Sequence, residues 1–361
     1  MVVRQPAGNM FLNFPKRLCN WNQQVLTEDL EILARAVREG KRGAVAKAIT
    51  LIESTRTTHR QEALTLLEIL VKLGTREALR VGMSGAPGVG KSTLINCLGS
   101  MLIDRGQSLA VLAVDPSSAE SGGSILGDKT RMPALSRNPK AFVRPSPTGK
   151  FQGGVSRRAR DTVFICEQAG FDVVFVETTG VGQMEALVTE LVDVFVLLAS
   201  PGGGDDLQGM KRGIMELADL VLVNRSDGDM KKLSLLACAD FSSALRLMRK
   251  RKQDPEGIPK VLNVSALEGT GIESAWNDVV ELARWRHREG HWERRRQNQA
   301  ISWFRSEIDE RMRDFLLNDR DMRDQISAME NRVRAGDVHY DAAAETMVRK
   351  LFASRSSKSL P

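Results

Sequence analysis

Residues 80–94 read RVGMSGAPGVGKSTL. A short apolar run, Val81 and Met83, leads into Gly85-Ala86-Pro87-Gly88-Val89-Gly90-Lys91-Ser92-Thr93, and a helix-like segment follows. Gly-x4-Gly-Lys-Ser in a strand–loop–helix setting is the pattern of a loop that cradles phosphates. Phosphate oxygens must be met by converging backbone N–H groups, and Gly85, Gly88 and Gly90 let the chain approach without Cβ clashes. The helix that follows points the positive end of its dipole at the same place. Lys91 is the candidate catalytic cation for the β/γ-phosphates, and the Ser92 hydroxyl is a candidate Mg²⁺ ligand.

Working outward, 361 residues suit one large α/β domain with helical additions, at roughly 100–200 residues per domain. The formal charge of +7 arises from 52 Lys and Arg against 45 Asp and Glu, and aromatics make up only 5%. With no zinc finger and no RNA-recognition signature, this balance favours small anionic ligands over nucleic acid. Cys19, Cys97, Cys166 and Cys238 are far apart and form no CxxC, so they are expected to be reduced thiols. The longest apolar runs, near Val194–Ala199 and Leu220–Val223, are strand-length and far short of a membrane span, so a soluble chain is expected.

Residues 1–26 contain Arg4, Lys16 and Arg17, no acid, and interspersed Phe11, Leu12, Phe14 and Trp21. Such a leader resembles a mitochondrial transit peptide or a disordered terminus. Thr27 is placed to cap a helix carrying Leu30, Leu33, Ala34 and Val37 on one face, ended by Gly40. Further helices are expected over 44–54 and 59–73, giving a helical N-terminal domain at 27–77. From 78 to 285, strands are expected at Val81–Ser84, Leu109–Val114, Val173–Val176, Val194–Leu198, Leu220–Val223 and Val261–Val264, mostly separated by helical stretches. That alternation predicts an α/β fold with a mostly parallel sheet flanked by helices, as in P-loop NTPases. Beyond 286, Ile301, Phe304, Ile308, Met312 and Phe315 mark an apolar helical face in a C-terminal helical arm. Ser354–Pro361 is expected to be disordered.

Three later strands end in chemistry. The second ends in Asp115, an acid beside the P-loop strand and a candidate Mg²⁺ ligand. Val173–Val176 ends in Glu177-Thr-Thr-Gly180, where many GTPases carry Asp-x-x-Gly. Glu177 is then a candidate for the metal and its water, and the Gly180 amide for the γ-phosphate; both are named as catalytic candidates. Leu220–Val223 runs into Asn224-Arg225-Ser226-Asp227, close to the guanine-reading Asn-Lys-x-Asp. Asp227 can accept from guanine N1–H and the N2 amine, Asn224 would tie this loop to the P-loop, and Arg225 would lie along the base. Ser265-Ala266-Leu267, after another strand, matches a loop that meets guanine O6 with backbone N–H. GTP and GDP with Mg²⁺ are the expected ligands.

These runs, with VLAVDPSS (111–118), GGSILGDKTRM (122–132), RPSPTG (144–149), FDVVFVETTGVGQ (171–183) and LQGMKRGIMELADLVLVN (207–224), resemble the methylmalonyl-CoA mutase-associated GTPase chaperones. That family is also labelled as lysine/arginine/ornithine (LAO/AO) transport ATPases, and the likeness covers roughly 27–285. The resemblance implies a GTPase that gates cofactor loading or protection of an adenosylcobalamin-dependent mutase, with the cobalamin adenosyltransferase as a further candidate partner. It implies that Asp128 serves the metal or the first switch. It also implies that Asp205, Gln208 and Lys211, within Pro201–Arg212, form a switch communicating with the mutase. Homodimerisation through the C-terminal arm (286–361) belongs to the same implication, while the leader at 1–26 points to a mitochondrial matrix location in a eukaryote, otherwise cytoplasmic. Arg225 departs from the usual Lys, Thr179 from Val and Met184 from Ser.

Two alternatives have less residue support. A nickel-delivering GTPase needs soft or imidazole ligands; His287 and His291 could share a helix face, but Arg286, Arg288, Arg294, Arg295 and Arg296 crowd them. A transport ATPase of the ABC type would need a Leu-Ser-Gly-Gly-Gln signature, which is missing. No Gln directly follows Gly180, and Gln183 lies three residues on, so hydrolysis is expected to be slow alone and partner-stimulated.

Overall fold

The computed structural model describes residues 16–115, 131–147, 152–178, 188–201, 212–248, 251 and 254–356. Seven parallel strands form one sheet in the order β3-β2-β4-β1-β5-β6-β7. They are β1 (Leu79–Gly85), β2 (Leu109–Asp115), β3 (Ala141–Pro147), β4 (Val173–Thr178), β5 (Val194–Ala199), β6 (Leu220–Val223) and β7 (Lys260–Asn263). β4, β5 and β6 are buried along their whole length, which is why β5, β6 and Val173–Val176 of β4 read as unbroken apolar runs instead of alternating ones. Six strands match the expected positions. β3 is the addition: Pro145 and Pro147 hid it, because proline cannot donate to a ladder. Its place at the sheet edge, bonded only to β2, makes them tolerable.

After β1 the chain moves to one side of it to build β2 and β3, and β4 then fills the gap beside β1. The remaining three strands lie on its other side. The carboxyl end of β1 is therefore at the switch point of the sheet, where this architecture opens a crevice for ligands.

α4 (Lys91–Asp104) and α9 (Ile272–Arg288) cover one sheet face, where Leu94, Leu98, Trp276 and Val279 join Met83, Phe175 and Val196 in a single apolar core. Full burial of each such side chain contributes about 1.5–3 kcal/mol. α6 (Gln152–Gln168) lies on β2 and β4 and meets α1 (Lys16–Arg38) and α2 (Arg42–Glu53); α3 (Thr57–Lys72) packs on both of those. Arg144 on β3 is paired with Glu53, fastening α2 to the edge strand. α1 differs from expectation: Thr27 lies inside it instead of capping it. The spacing of Leu18, Trp21 and Val25 continues the helical period of Leu30, Leu33 and Val37 upstream, so the helix starts within the segment read as a leader.

The short helices α5 (Pro133–Arg137) and α7 (Arg212–Leu217) and the longer α8 (Lys231–Arg246) complete this part of the chain. At the amino ends of the strands, buried charges pair. Asp219 accepts from both Nη atoms of Arg286, from Arg251 and from the Phe195 amide, and Arg286 also reaches Asp254. Burial pushes the Asp219 pKa up, but the Arg286 charge and hydrogen bonds, followed by Arg251 and Arg295, outweigh it and hold the carboxyl below its usual range. Arg296 binds Asp193 and Glu167, and Arg295 caps the carbonyls of Thr189 and Val192. So Arg286, Arg295 and Arg296 are structural ties and not a solvated basic cluster.

The chain divides into two compact units, 1–296 and 297–361. The ties made by Arg295 and Arg296 explain why the first turns of α10 (His291–Asn318) belong to the first unit. The second unit contains the rest of α10 with α11 (Arg320–Ala335) and α12 (Tyr340–Ser356). Asp319 caps α11 by accepting from the Met322 amide, and Gly336 ends it in the left-handed conformation. The tail expected to be disordered from Ser354 is helical as far as Ser356. Among the described residues no helix is long and apolar enough to cross a membrane, and Cys97, Cys166 and Cys238 are free thiols.

Candidate functional site

β1 delivers Gly85 to the switch point, and α4 begins at Lys91. Between them the chain turns through left-handed residues at Gly88 (φ 79°) and Gly90 (φ 95°), a region that only glycine adopts without strain. Gly85 is required for a second reason: a Cβ there would lie 2.3 Å from the Leu198 carbonyl oxygen of β5. The loop therefore needs small residues both to turn and to nest against the neighbouring strand. Val89 is buried beneath it, while Pro87 and Gly88 are exposed at its tip and Ala86 is half-buried.

Lys91 is buried, and its ammonium donates to the carbonyls of Gly85 (2.8 Å) and Ala86 (3.0 Å). That holds the cation at the mouth of its own loop. Ser92 Oγ donates to Glu177 Oε1 at 2.9 Å, joining the first turn of α4 to the end of β4. Thr93 is exposed. A hydroxyl and a buried carboxylate in contact form a hard oxygen donor set, which fits a divalent cation such as Mg²⁺. Asp115 ends β2, but its carboxylate, with Asp128, Gly180, Asp205, Gln208 and Lys211, lies outside the described residues.

The second half of the site is held to the first by Asn224, 2% exposed. Its Nδ2 donates to the Val89 carbonyl at 2.9 Å, and its Oδ1 accepts from the Ala266 amide at 3.1 Å. One side chain thus bonds the phosphate loop to the Ser265–Leu267 loop. Gly90 is the position that admits it, since a Cβ there would lie 2.5 Å from Asn224 Nδ2. Arg225 stands in the left-handed region at φ 63°, and its guanidinium bonds the Gly88 carbonyl. Asp227 Oδ2 accepts from Ser265 Oγ at 2.5 Å, and Ser265 Oγ accepts in turn from the Glu268 amide. Leu267 is 81% exposed at the rim.

Ser92 and Glu177 are therefore in contact and Lys91 binds the carbonyls of its own loop, while Asn224 joins Val89 to Ala266, Arg225 bonds Gly88 and Asp227 bonds Ser265. Two residues escaped the sequence reading. Ser84 and Thr178 are buried and hydrogen-bonded at 2.8 Å beside the phosphate loop. Their only sequence signal is a hydroxyl at the end of an otherwise apolar strand run. His287 and His291 do not share a helix face: Gly290 turns the chain between α9 and α10, and the rings stack instead on Trp292 and Trp285. Among the described residues no group of His, Cys, Asp and Glu could hold a metal by itself.

A switch-point phosphate loop with a loop-tied Asn-x-x-Asp motif defines a P-loop GTPase, which hydrolyses GTP to GDP and phosphate. Residues 45–321 match the model of the family described as methylmalonyl Co-A mutase-associated GTPase MeaB, and the chain belongs to that family. It is 47% identical over 321 residues to a probable GTPase of Mycobacterium tuberculosis, covering 88% of this chain and 93% of that one. It is 44% identical over 326 residues to the mitochondrial methylmalonic aciduria type A homolog of Mus musculus, covering 88% and 78%. A crystal structure titled LAO/AO transport system kinase shares 33% identity and a TM-score of 0.70, covering 89% of this chain and 97% of that one.

Proposed function

We propose that this GTPase is a chaperone of an adenosylcobalamin-dependent methylmalonyl-CoA mutase, using GTP to gate loading or protection of the mutase cofactor. The observation that carries the nucleotide part is the Ser92–Glu177 contact at the switch point beside the Lys91-bound loop, with Asn224 tying that loop to Ser265–Leu267. The mutase part rests on the family description. In this reading Lys91 turns its ammonium from loop carbonyls to phosphate oxygens. Ser92 and Glu177 hold Mg²⁺, with Asp115 and Asp128 as further ligands. Bound there, the cation neutralises charge on the β- and γ-phosphates. Asp227 selects guanine, and Gly180 senses the γ-phosphate. Hydrolysis is slow alone, because no water-orienting Gln follows Gly180 and positioning supplies most of the catalysis in phosphoryl transfer.

The coupling segment is Pro201–Arg212, with Asp205, Gln208 and Lys211 as the residues that communicate with the mutase, and the adenosyltransferase is a second partner. Homodimerisation uses the α10 face at Ile301, Phe304, Ile308, Met312 and Phe315, which is 37–66% exposed within its unit and suits an apolar partner surface. In a eukaryotic cell the protein acts in the mitochondrial matrix, and otherwise in the cytoplasm. The test is single-turnover GTP hydrolysis with and without purified methylmalonyl-CoA mutase. Coupling of about 1–3 kcal/mol, an about five- to 150-fold effect, is expected on mutase affinity between nucleotide states. Lys211→Ala and Gln208→Ala should lose most of the stimulation. Equal rates with and without the mutase, together with nucleotide-independent mutase binding, would remove the chaperone reading.

A further inference from the structure

We propose that Ser84 and Thr178 are a positioning pair that sets the distance between the phosphate loop and Glu177, and thereby the Mg²⁺ affinity of the site. The backbone pairing of β1 with β4 runs from Leu79↔Val173 to Met83↔Glu177 and stops there. Beyond that point β4 continues on β2 as far as Val114↔Thr178, while β1 continues on β5 as far as Gly85↔Leu198. The strand that leads into the phosphate loop and the strand that carries Glu177 thus part company at the mouth of the crevice. The Thr178 hydroxyl donates to Ser84 Oγ at 2.8 Å one residue past the last backbone pair. It is the link that continues their alignment into the site.

Side chains alternate along a strand. Ser84 and Thr178 therefore occupy the sheet face opposite Met83 and Glu177. Set on the other face from Glu177, the pair acts through where it holds the strand ends. Ser84 is 0% and Thr178 1% exposed, so both hydroxyls are fully buried. Burying two hydroxyls gains little stability over an apolar pair of the same shape, because each must first lose its water. Their net value is directional: an O–H···O bond specifies a separation, whereas two methyl groups specify only contact.

This inference rests on the Mg²⁺ reading of Ser92 and Glu177. The experiment follows release of a fluorescent GDP analogue from the full-length protein across a Mg²⁺ titration and in EDTA, with thermal unfolding measured in parallel. The variants are Thr178→Val, Ser84→Ala, the Ser84→Ala/Thr178→Val double variant, and Thr178→Ser as the conservative rescue. Residues that orient metal ligands typically change metal affinity about tenfold or more when lost, so half-saturating Mg²⁺ should rise about tenfold in Thr178→Val and in the double variant, with release in EDTA unchanged. Thr178→Ser should stay near the parent value. Removing both hydroxyls leaves no orphaned partner, so the double variant should recover thermal stability without recovering Mg²⁺ affinity. Should Thr178→Val fail to fold, the double variant reads the same quantity. A parent-like Mg²⁺ requirement in the folded double variant would reduce the pair to packing and overturn the proposal. Release of GDP from the parent protein that is insensitive to Mg²⁺ would overturn the metal reading as well.

Discussion

Replacing Asn224 by Ala removes the two bonds by which this side chain joins the phosphate loop to the Ser265–Leu267 loop, leaving that of Arg225 to the Gly88 carbonyl. The Val89 carbonyl and the Ala266 amide, partnered at 2.9 and 3.1 Å, are left facing a methyl group. Each bond contributes about 0.5–1.5 kcal/mol net, so the loss is about 1–3 kcal/mol. Expressed wholly in binding, that is an about five- to 150-fold weaker affinity for GDP and GTP. The effect should fall on binding if, as proposed, the two loops hold different ends of one nucleotide, because loosening their relation then costs ordering when the ligand arrives. Isothermal titration with both nucleotides, together with thermal unfolding, separates this from a general loss of stability. Asn224→Asp sharpens the test: it keeps the acceptor for Ala266 but turns an oxygen toward the Val89 carbonyl, and should bind at least as weakly as Asn224→Ala. A folded Asn224→Ala protein with parent-like affinity would refute the claim that this tie organises the site.

Asp227→Asn exchanges an acceptor for a donor, so nucleotide preference should move from GTP toward xanthosine triphosphate in competition binding. Undiminished GTP preference would assign base reading to another group. Asp219→Ala leaves the Arg286 guanidinium, 3% exposed, without its main carboxylate partner; about 3–5 kcal/mol of stability should be lost. The Asp219 carboxyl titrates lower in the folded than in the unfolded state, so its contribution is complete above the ordinary value of 3.8 and disappears as pH falls through the folded value. Urea unfolding should accordingly show the gap between the parent and Asp219→Asn narrowing below about pH 4. Gly82→Ala places a Cβ 2.8 Å from Val188 Cγ1 and 2.9 Å from Val192 Cγ2. Overpacking of that kind costs about 1–3 kcal/mol, and an unchanged melting temperature would show that the segment after β4 yields freely.

The sequence by itself determined the parts whose signal is local. Gly85–Thr93 names a phosphate loop within nine residues, because turning, backbone approach and charge all constrain neighbouring positions. Glu177 and Asn224-Arg225-Ser226-Asp227 were legible for the same reason, each standing at the end of a short, fully apolar strand run. Tertiary structure decided what depends on partners distant in the chain. β3 is a strand because it has β2 to bond to and, among the described residues, no second neighbour to be offended by Pro145 and Pro147. Arg286 reads as one of a crowd of cations, yet Asp219, 67 residues away, makes it a buried tie. Ser84 and Thr178, 94 residues apart, look like incidental hydroxyls until the sheet aligns them. Periodicity and motif spacing report which face of an element is apolar and which loop is special. They are silent on which buried polar groups will find each other, because that is settled by strand order and register, set by the packing of the whole sheet.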